Sequence, residues 1–239
     1  MSEKTATTPA ANTSAAGTSA AGTPETGASV TRASATGTRA TGTPSPGVYY
    51  QERNTLETKI QVTIDLNRDF QESKINTGIG FFNHMLTLFA FHSQTYLDVQ
   101  TDGDLEVDGH HTVEDIGIVM GELIRQIYKD RGSYQRYGSF YMPMDECLAR
   151  VVIDLSGRPY LAMDAEFSRD TVGQFATELV REFFYALAIN ARLTLHIDLL
   201  KTGNTHHEIE AIFKAFARAL KIALAPASGG VPSSKGVIQ

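Results

Sequence analysis

The sequence lacks a second cysteine, an excess of positive charge and an uninterrupted apolar run. Its one cysteine, Cys147, cannot form a disulfide within the chain, and the first residues, MSEKTATTPAANT, have no apolar core of a secretory signal, so we expect a cytoplasmic protein. The net charge of -6 provides no general attraction to nucleic acid or to an anionic membrane. The most apolar stretch, FFYALAINARLTLHIDLL, contains Arg192, His196 and Asp198, which are costly at membrane depth, so we expect no membrane span.

The first 47 residues lack any apolar side chain larger than valine after the initiator methionine. They consist almost entirely of Thr, Ala, Ser, Gly and Pro, as in TSAAGTSAAGTPETGAS. Such a segment cannot bury enough apolar surface to offset the entropy lost on ordering. We therefore predict a disordered tail over residues 1–47 and a folded domain over residues 48–239.

The folded part shows alternating strand and helix patterns that occur twice. KIQVTIDLN alternates apolar and polar residues as a strand does, FFNHMLTLFAFHS and TVEDIGIVMGELIRQIYKD have helical patterns, and YLDVQTDG follows the strand pattern. ECLARVVIDLSGRPYLAMDAEF predicts two strands joined by a turn, and TELVREFFYALAINA, LTLHIDLL and HHEIEAIFKAFARALKIAL repeat the order helix, strand, helix. We predict an α+β fold of two β-α-β-α halves, about 48–140 and 141–239, with helices packed on mixed sheets.

The sequence HHTVED, which begins at His110, is matched by HHEIEA, which begins at His206. Residues four apart share a helix face while adjacent residues lie about 100° apart, so each first histidine can share a metal with the glutamate one turn later. The second histidine of each pair must point elsewhere, and each half could lend it to the metal of the other half. The predicted sites are therefore His110, Glu114 and His207, and His206, Glu210 and His111.

Imidazole and carboxylate ligands without a thiolate suit Mn, Fe, Zn or Co, and three or four protein ligands leave positions open for a substrate. A single His-His pair is more often a surface or helix-capping feature, and it is the duplication that favours a metal site. His84 and His92 lie on one side of the first helix, where either could instead be a core histidine. His196, on a strand between apolar residues, favours a structural role.

Arg136 in YQRYGSF and Arg158 in SGRPY lie beside predicted strand turns, where a guanidinium can bind phosphate. The segment PSSKG, residues 232–236, offers two hydroxyls, a lysine and backbone amides, which also suits phosphate. Most arginines are simply solvated, so neither pattern by itself establishes a ligand.

Together these residues resemble the imidazoleglycerol-phosphate dehydratase family of histidine biosynthesis. The resemblance runs from about Arg53 to Val237. Its motifs are RNTLETKI, GIGFFNHML, DGHHTVEDIGI, YMPMDECLARVVIDLSGRPY, NTHHEIEAIFKAFARAL and VPSSKGV. It implies a lyase that removes water from imidazole glycerol phosphate to give imidazole acetol phosphate, with two Mn ions per active site. It also implies a homo-oligomer of 24 subunits with active sites built between neighbouring chains.

The resemblance also implies roles for individual residues. The implied metal ligands are His84, His110, His111, Glu114, His206, His207 and Glu210. Substrate contacts are implied for Glu57, His84, His92, His110, His111, Arg136, Arg158, Ser233, Ser234 and Lys235. The catalytic carboxylates are expected to be Glu57, Glu114 and Glu210. Many relatives have a histidine ligand where this chain has Glu182, and we retain Glu182 as a candidate ligand because a carboxylate can bind Mn.

Dehydration here removes a proton from a carbon with no adjacent carbonyl, so the reaction needs another electron sink. We expect the substrate ring to serve as that sink through an imidazolate/diazafulvene-type intermediate, with Glu57 transferring a proton and the phosphate held by Arg136, Arg158 and Lys235. Two other classes remain as alternatives. A metal-dependent hydrolase would use the same histidines to activate water, and a non-catalytic metal-binding shell would need no substrate contacts.

Overall fold

Each half of the fold contains three strands of one sheet, a helix, a further strand and a helix, in that order, and the second half adds a short two-stranded hairpin before its first helix. The computed structural model describes residues 45–229 and Ser233. The first half consists of β1 (Val48–Asn54), β2 (Thr58–Asp65), β3 (Lys74–Asn76), α1 (Gly80–Ser93), β4 (Tyr96–Gly103) and α2 (His110–Asp130), with a 3-10 turn at Phe70–Glu72. The second half consists of β5 (Tyr137–Met144), β6 (Cys147–Asp154), β7 (Tyr160–Asp164), the short hairpin of β8 (Thr171–Val172) and β9 (Phe175–Ala176), α3 (Leu179–Ala191), β10 (Thr194–Lys201) and α4 (Thr205–Leu224).

The two four-stranded sheets have the same topology. Their strand orders are β1-β2-β4-β3 and β5-β6-β10-β7. In each sheet the first three strands pair antiparallel and the last pair is parallel. The predicted α+β fold with duplicated halves and mixed sheets is confirmed.

Strict alternation places one face of each sheet in the core. In β2, Ile60, Val62 and Ile64 are buried while the residues between them are more exposed. In β6, Val151 and Ile153 are buried in the same way. Burying one such side chain contributes about 1.5–3 kcal/mol, which is the main reason that the strand register is well defined.

The helices join the two halves crosswise, since α1 packs on α4 and α2 packs on α3. The apolar stripe predicted for α2 is confirmed, because all of its members are buried: Val113, Ile116, Met120, Leu123, Ile124 and Ile127. Gly117 allows close packing, since a Cβ atom there would lie 2.7 Å from the carbonyl oxygen of Phe183 on α3. The corresponding residue of α4 is Phe213, whose ring instead packs 4.9 Å from that of Phe184.

The sequence patterns did not predict the edge strands β1, β3 and β5 or the short hairpin of β8 and β9. An edge strand is paired on one side only and has weaker burial alternation, so its apolar pattern is weaker. The two strands predicted on either side of Ser156–Pro159 are present as β6 and β7, but β10 lies between them in the sheet. The predicted disordered tail lies outside the described residues except for residues 45–47, and Ser234 and Lys235 lie outside them too.

Candidate functional site

Three predicted metal ligands meet where α1 packs on α4. His84 of α1 and His206 of α4 approach the same carboxylate oxygen of Glu210, with His84 Nε2 at 3.4 Å and His206 Nε2 at 3.3 Å from Glu210 Oε2. One ligand atom from each residue lies within 4.8 Å of the other two. Glu210 is only 7% exposed, whereas the two imidazoles remain accessible. The cluster therefore presents two nitrogens and one oxygen toward a common point.

The second carboxylate oxygen of Glu210 contacts Lys214, which is one helical turn further along α4. Burial by itself would raise the pKa of Glu210, but the hydrogen bond and charge of Lys214 outweigh burial, and the pKa of Glu210 is lowered. Glu210 is therefore held as a carboxylate, the form that binds metal, with Oε2 directed at the histidines.

Each His-His pair begins its helix in a capped first turn. Asn204 caps α4 by accepting a hydrogen bond from the backbone N–H of His206 at 2.9 Å. The N-cap of α2 is Gly109, and Asp108, one residue before it, accepts a hydrogen bond from the backbone N–H of His110 at 2.7 Å. A side chain that accepts a helix-terminal N–H stabilises the start of the helix by about 1 kcal/mol, so the caps hold the histidines in place.

The first motif has a less complete cluster. His110 Nε2 lies 3.7 Å from Glu114 Oε2, as the one-turn spacing predicts. Glu182, on α3, occupies the position that corresponds to His84, but it forms no hydrogen bond or ion pair with the part of the chain that the structure describes. Among the described residues, His110, Glu114 and Glu182 do not form a group with ligand atoms as close together as those of His84, His206 and Glu210.

The second histidine of each pair points away from the first. The rings of His110 and His111 are at 90° to each other, and those of His206 and His207 are at 79°. His111 Nδ1 lies 2.9 Å from Asp104 Oδ2, and its Nε2 lies 3.8 Å from Glu57 Oε2.

His207 Nδ1 lies 3.2 Å from Glu146 Oε2 and 3.8 Å from Asp145 Oδ2. The predicted triads of His110, Glu114 and His207 and of His206, Glu210 and His111 are therefore not assembled among the described residues of one chain. Adjacent residues on a helix diverge, and the crosswise packing of the helices does not bring either second histidine back to the opposite motif.

Carboxylates fix the second histidines electrostatically as well. The hydrogen bond that His111 makes to the carboxylate of Asp104 outweighs partial burial and raises the pKa of His111. Glu146 accepts the backbone N–H of Asn204 at 2.7 Å, and this bond, with further hydrogen bonds from its own backbone and from His207, lowers the pKa of Glu146 to about 2. A carboxylate bonded to Nδ1 leaves Nε2 of each imidazole directed outward.

The remaining predicted residues lie apart from the metal-ligand cluster. His92 is half-buried near the end of α1, and burial, followed by the charges of Lys214 and Arg218, lowers its pKa. Arg136 and Arg158 both approach Asp154, at the end of β6. Ser233 is half-buried.

Comparison with known proteins identifies the family. A profile of imidazoleglycerol-phosphate dehydratase matches residues 77–220. The chain is 65% identical over 192 residues to an imidazoleglycerol-phosphate dehydratase of Staphylococcus carnosus, an alignment that covers 80% of this chain and 99% of the relative. This chain belongs to the imidazoleglycerol-phosphate dehydratase family.

Other relatives agree in sequence and in fold. A dehydratase of Staphylococcus aureus is 60% identical over 193 residues, covering 80% of this chain and all of the relative. The crystal structure of the dehydratase from S. aureus N315 matches with a TM-score of 0.68 at 55% identity, covering 75% of this chain and 99% of that one. That of the Pyrococcus furiosus enzyme in complex with (S)-C348 matches with the same TM-score at 37% identity, covering 78% and 99%.

Membership makes the chain an imidazoleglycerol-phosphate dehydratase of histidine biosynthesis, a carbon-oxygen hydro-lyase. Its substrate is a small molecule. Within residues 45–229, no helix is long and apolar enough to cross a membrane.

Several charged residues around this dehydratase site were not predicted from the sequence. The contact between Lys214 and Glu210 could have been predicted, because Lys214 follows Glu210 by four residues on the same helix. Asp104 lies in the loop just before α2, seven residues from His111, and Glu146 lies in a strand turn 61 residues from His207. Asp154 is the last residue of an alternating strand. No helix or strand periodicity marks these three residues, because a loop or a turn separates each of them from its partners.

Proposed function

We propose that this dehydratase is metal-dependent and that the cluster of His84, His206 and Glu210 is one of its metal sites. The convergence of two imidazole nitrogens on one buried carboxylate oxygen carries the proposal. Imidazole and carboxylate ligands suit Mn, and the lowered pKa of Glu210 keeps the carboxylate ready to bind a cation. The donor set therefore fits the metal that the family resemblance implies.

A second metal would be held by His110 and Glu114, with Glu182 as a further candidate. We infer that His111 and His207 complete these sites in a neighbouring subunit, because neither reaches a first histidine within its own chain. Two Mn ions per active site and an assembly of 24 subunits are thus parts of the proposal. Bound metals would stabilise negative charge that develops on the imidazole ring of the substrate.

The proton transfer is assigned to Glu57. Its side chain is 55% exposed and lies beside His111, at the turn between β1 and β2. Loss of water breaks one C–H and one C–O bond, and the proton and hydroxide leave together as water. The substrate ring, as an imidazolate, donates the electron pair that expels hydroxide and becomes a diazafulvene-type intermediate. Glu57 then removes the proton from the adjacent carbon, and the electron pair of the broken C–H bond returns to the ring.

The phosphate is assigned to Arg136 and Arg158, with Ser233, Ser234 and Lys235 from the C-terminal segment. The ring and the phosphate lie at opposite ends of the substrate, so two anchoring points would orient the reacting carbon between them. A cytoplasmic location completes the proposal, because a chain with one cysteine, here buried, needs no oxidising compartment.

Turnover of imidazole glycerol phosphate by chelator-treated and Mn-reloaded protein tests this proposal. We expect activity to disappear with the metal and to return with Mn, and metal analysis to give two ions per chain in the assembled protein. Full turnover in the metal-free protein would contradict metal dependence. Mn binding without turnover would favour a metal-binding shell, and release of inorganic phosphate would favour a hydrolase.

A further inference from the structure

Arg136 occupies a backbone position that belongs to glycine in the first half. Gly47 precedes β1 with φ +87°, and Arg136 precedes β5 with φ +70°. The two residues are structurally equivalent, since the N–H of Leu66 donates to Gly47 O at 2.9 Å and that of Leu155 donates to Arg136 O at 3.0 Å. The left-handed region suits glycine and strains an arginine, so the second half retains a large side chain at a strained position.

Asp154 holds this strained side chain in place. Arg136 Nε donates to Asp154 Oδ1 at 2.7 Å, and Arg136 Nη2 donates to Oδ2 at 3.2 Å, so the contact is bidentate. The Arg136 side chain is only 11% exposed and lies over the ring of Tyr137. A bidentate pair fixes the plane of a guanidinium as well as its position.

The same carboxylate reaches the second arginine. Arg158 Nη2 lies 3.7 Å from Asp154 Oδ2, although the Arg158 side chain is 60% exposed. The backbone at Arg158 is held separately, because its N–H donates to Ser156 Oγ at 3.1 Å and its carbonyl accepts from Thr194 Oγ1 at 3.2 Å. Asp154 therefore lies between two guanidinium groups that come from different loops.

The first half does not use the equivalent aspartate in this way. Asp65 accepts the backbone N–H of Asn67 at 2.9 Å and so caps a turn. The side chain of Asn67 covers Gly47, where an added Cβ atom would lie 2.6 Å from Asn67 Nδ2. The equivalent of Asn67 is the smaller Ser156. The two halves share a backbone turn, but only the second half builds an arginine pair on it.

We propose that Asp154 is a positioning residue that holds Arg136 and Arg158 as one unit for the phosphate group of the substrate. This role rests on the proposed function, which assigns the phosphate to these arginines. The two cations outweigh the one anion, so the unit remains positive and attracts a phosphate dianion. Preorganisation by Asp154 lowers the cost of ordering two long side chains when the phosphate binds.

The substitutions Asp154→Glu and Asp154→Asn separate orientation from charge. Glutamate keeps the charge and displaces the carboxylate, whereas asparagine keeps the shape and one acceptor oxygen but loses the charge. Asp65→Glu makes the same change at the equivalent position of the first half and serves as the matched control. All variants are made in the full chain, and their assembly and Tm are measured beside the unsubstituted protein.

The experiment measures KM and kcat for the substrate and, separately, the Kd for inorganic phosphate by calorimetry. We expect Asp154→Glu to raise both KM and the phosphate Kd about tenfold, as for loss of a charge-assisted hydrogen bond, with kcat within about threefold. Asp65→Glu should leave KM and Kd unchanged. If Asp154→Glu does not assemble, Asp154→Asn carries the test, and a rise in KM and Kd of at least about threefold is expected from the lost bidentate bond.

Several results would overturn the inference. Unchanged KM and Kd in Asp154→Glu would do so, and so would tighter phosphate binding in Asp154→Asn, which would show that charge repulsion dominates. If Asp154→Glu lowers Tm and kcat but leaves KM unchanged, Asp154 has only a structural role. If the unsubstituted protein shows no dehydratase turnover but Asp154→Glu still weakens phosphate binding, the inference is supported and the proposed function is refuted. If there is no turnover and Asp154→Glu does not weaken phosphate binding, both are refuted.

Discussion

The two halves of the molecule share a backbone plan but surround their His-His pairs differently. In the first half, the buried carboxylate of Asp115 accepts hydrogen bonds from Arg53 Nε at 2.8 Å and from Thr58 Oγ1 at 2.5 Å. Helix α2 is equivalent to α4, and the β1-β2 hairpin is equivalent to the β5-β6 hairpin. In the second half, Asp115 is therefore replaced by Ala211, Arg53 by Met142 and Thr58 by Cys147.

The two halves also differ in the contacts of the glutamate that precedes the second strand of each sheet. Glu57 precedes β2 and Glu146 precedes β6, so they are equivalent residues. Glu146 is engaged by the N–H of Asn204 and by His207, whereas Glu57 is exposed and 3.8 Å from His111. The polar network of Asp115 holds the first turn without using Glu57. Duplication thus provided two copies of one turn, and divergence left one glutamate available for chemistry.

The largest effect is expected from removing one ligand of the cluster of His84, His206 and Glu210. We expect His206→Asn to lower kcat/KM by more than about 100-fold, beyond the effect of losing an outer partner of a metal ligand, and to remove one Mn per chain. His196→Asn is the matched control, because His196 lies on a strand against Tyr160 and outside the cluster. Elemental analysis with steady-state kinetics makes the measurement, and full metal content in His206→Asn would contradict the assignment.

The second test compares the equivalent glutamates. Loss of a group that transfers a proton typically costs about 100- to 10,000-fold, so Glu57→Gln should lower kcat by that factor while the metal content is unchanged. Glu146→Gln should lower kcat far less and should weaken Mn binding, since Glu146 orients His207. Equal effects of the two substitutions on kcat would show that the turns have not diverged in function.

The third test makes the first half resemble the second. Asp115→Ala installs the residue found at position 211 and leaves Arg53 and Thr58 without their acceptor, so we expect a loss of about 2 kcal/mol in the free energy of unfolding. This value allows for the partial exposure of Arg53, which screens the ion pair. Chemical denaturation measures the loss, and Asp102→Ala, at an exposed aspartate, provides the control. An unchanged midpoint would show that the network contributes nothing to stability.

The smallest effect is expected from giving the first half a histidine at the position equivalent to His84. Glu182→His places an imidazole opposite His110 and Glu114, as His84 stands opposite His206 and Glu210. Imidazole favours Zn and Co over Mn more than a carboxylate does, so we expect a change of about tenfold or less in relative metal affinity toward those ions. Competitive metal titration tests this expectation. Identical metal preference in both proteins would remove Glu182 from the ligand set.

Local patterns in the sequence were sufficient to predict the helices, the central strands and the glutamate that accompanies each first histidine. A helix repeats its face every 3.6 residues and a strand every two, so these features depend only on neighbours along the chain. The pairings of His110 with Glu114 and of His206 with Glu210 follow from that geometry. The equivalence of the two motifs was likewise evident from residue types and spacing.

The tertiary structure decided which helix each motif meets and where the second histidines point. Crosswise packing brought His84 of α1 to His206 of α4 and set α3, which carries Glu182, against α2. His111 and His207 turned to carboxylates from a loop and a strand turn. Except for His111 with Asp104, these contacts join residues far apart in the chain, and no periodicity within a segment encodes any of them. The sequence by itself determined which side chains each element presents; only the packing of the elements determined the partners, because a partner depends on distance in space rather than on spacing along the chain.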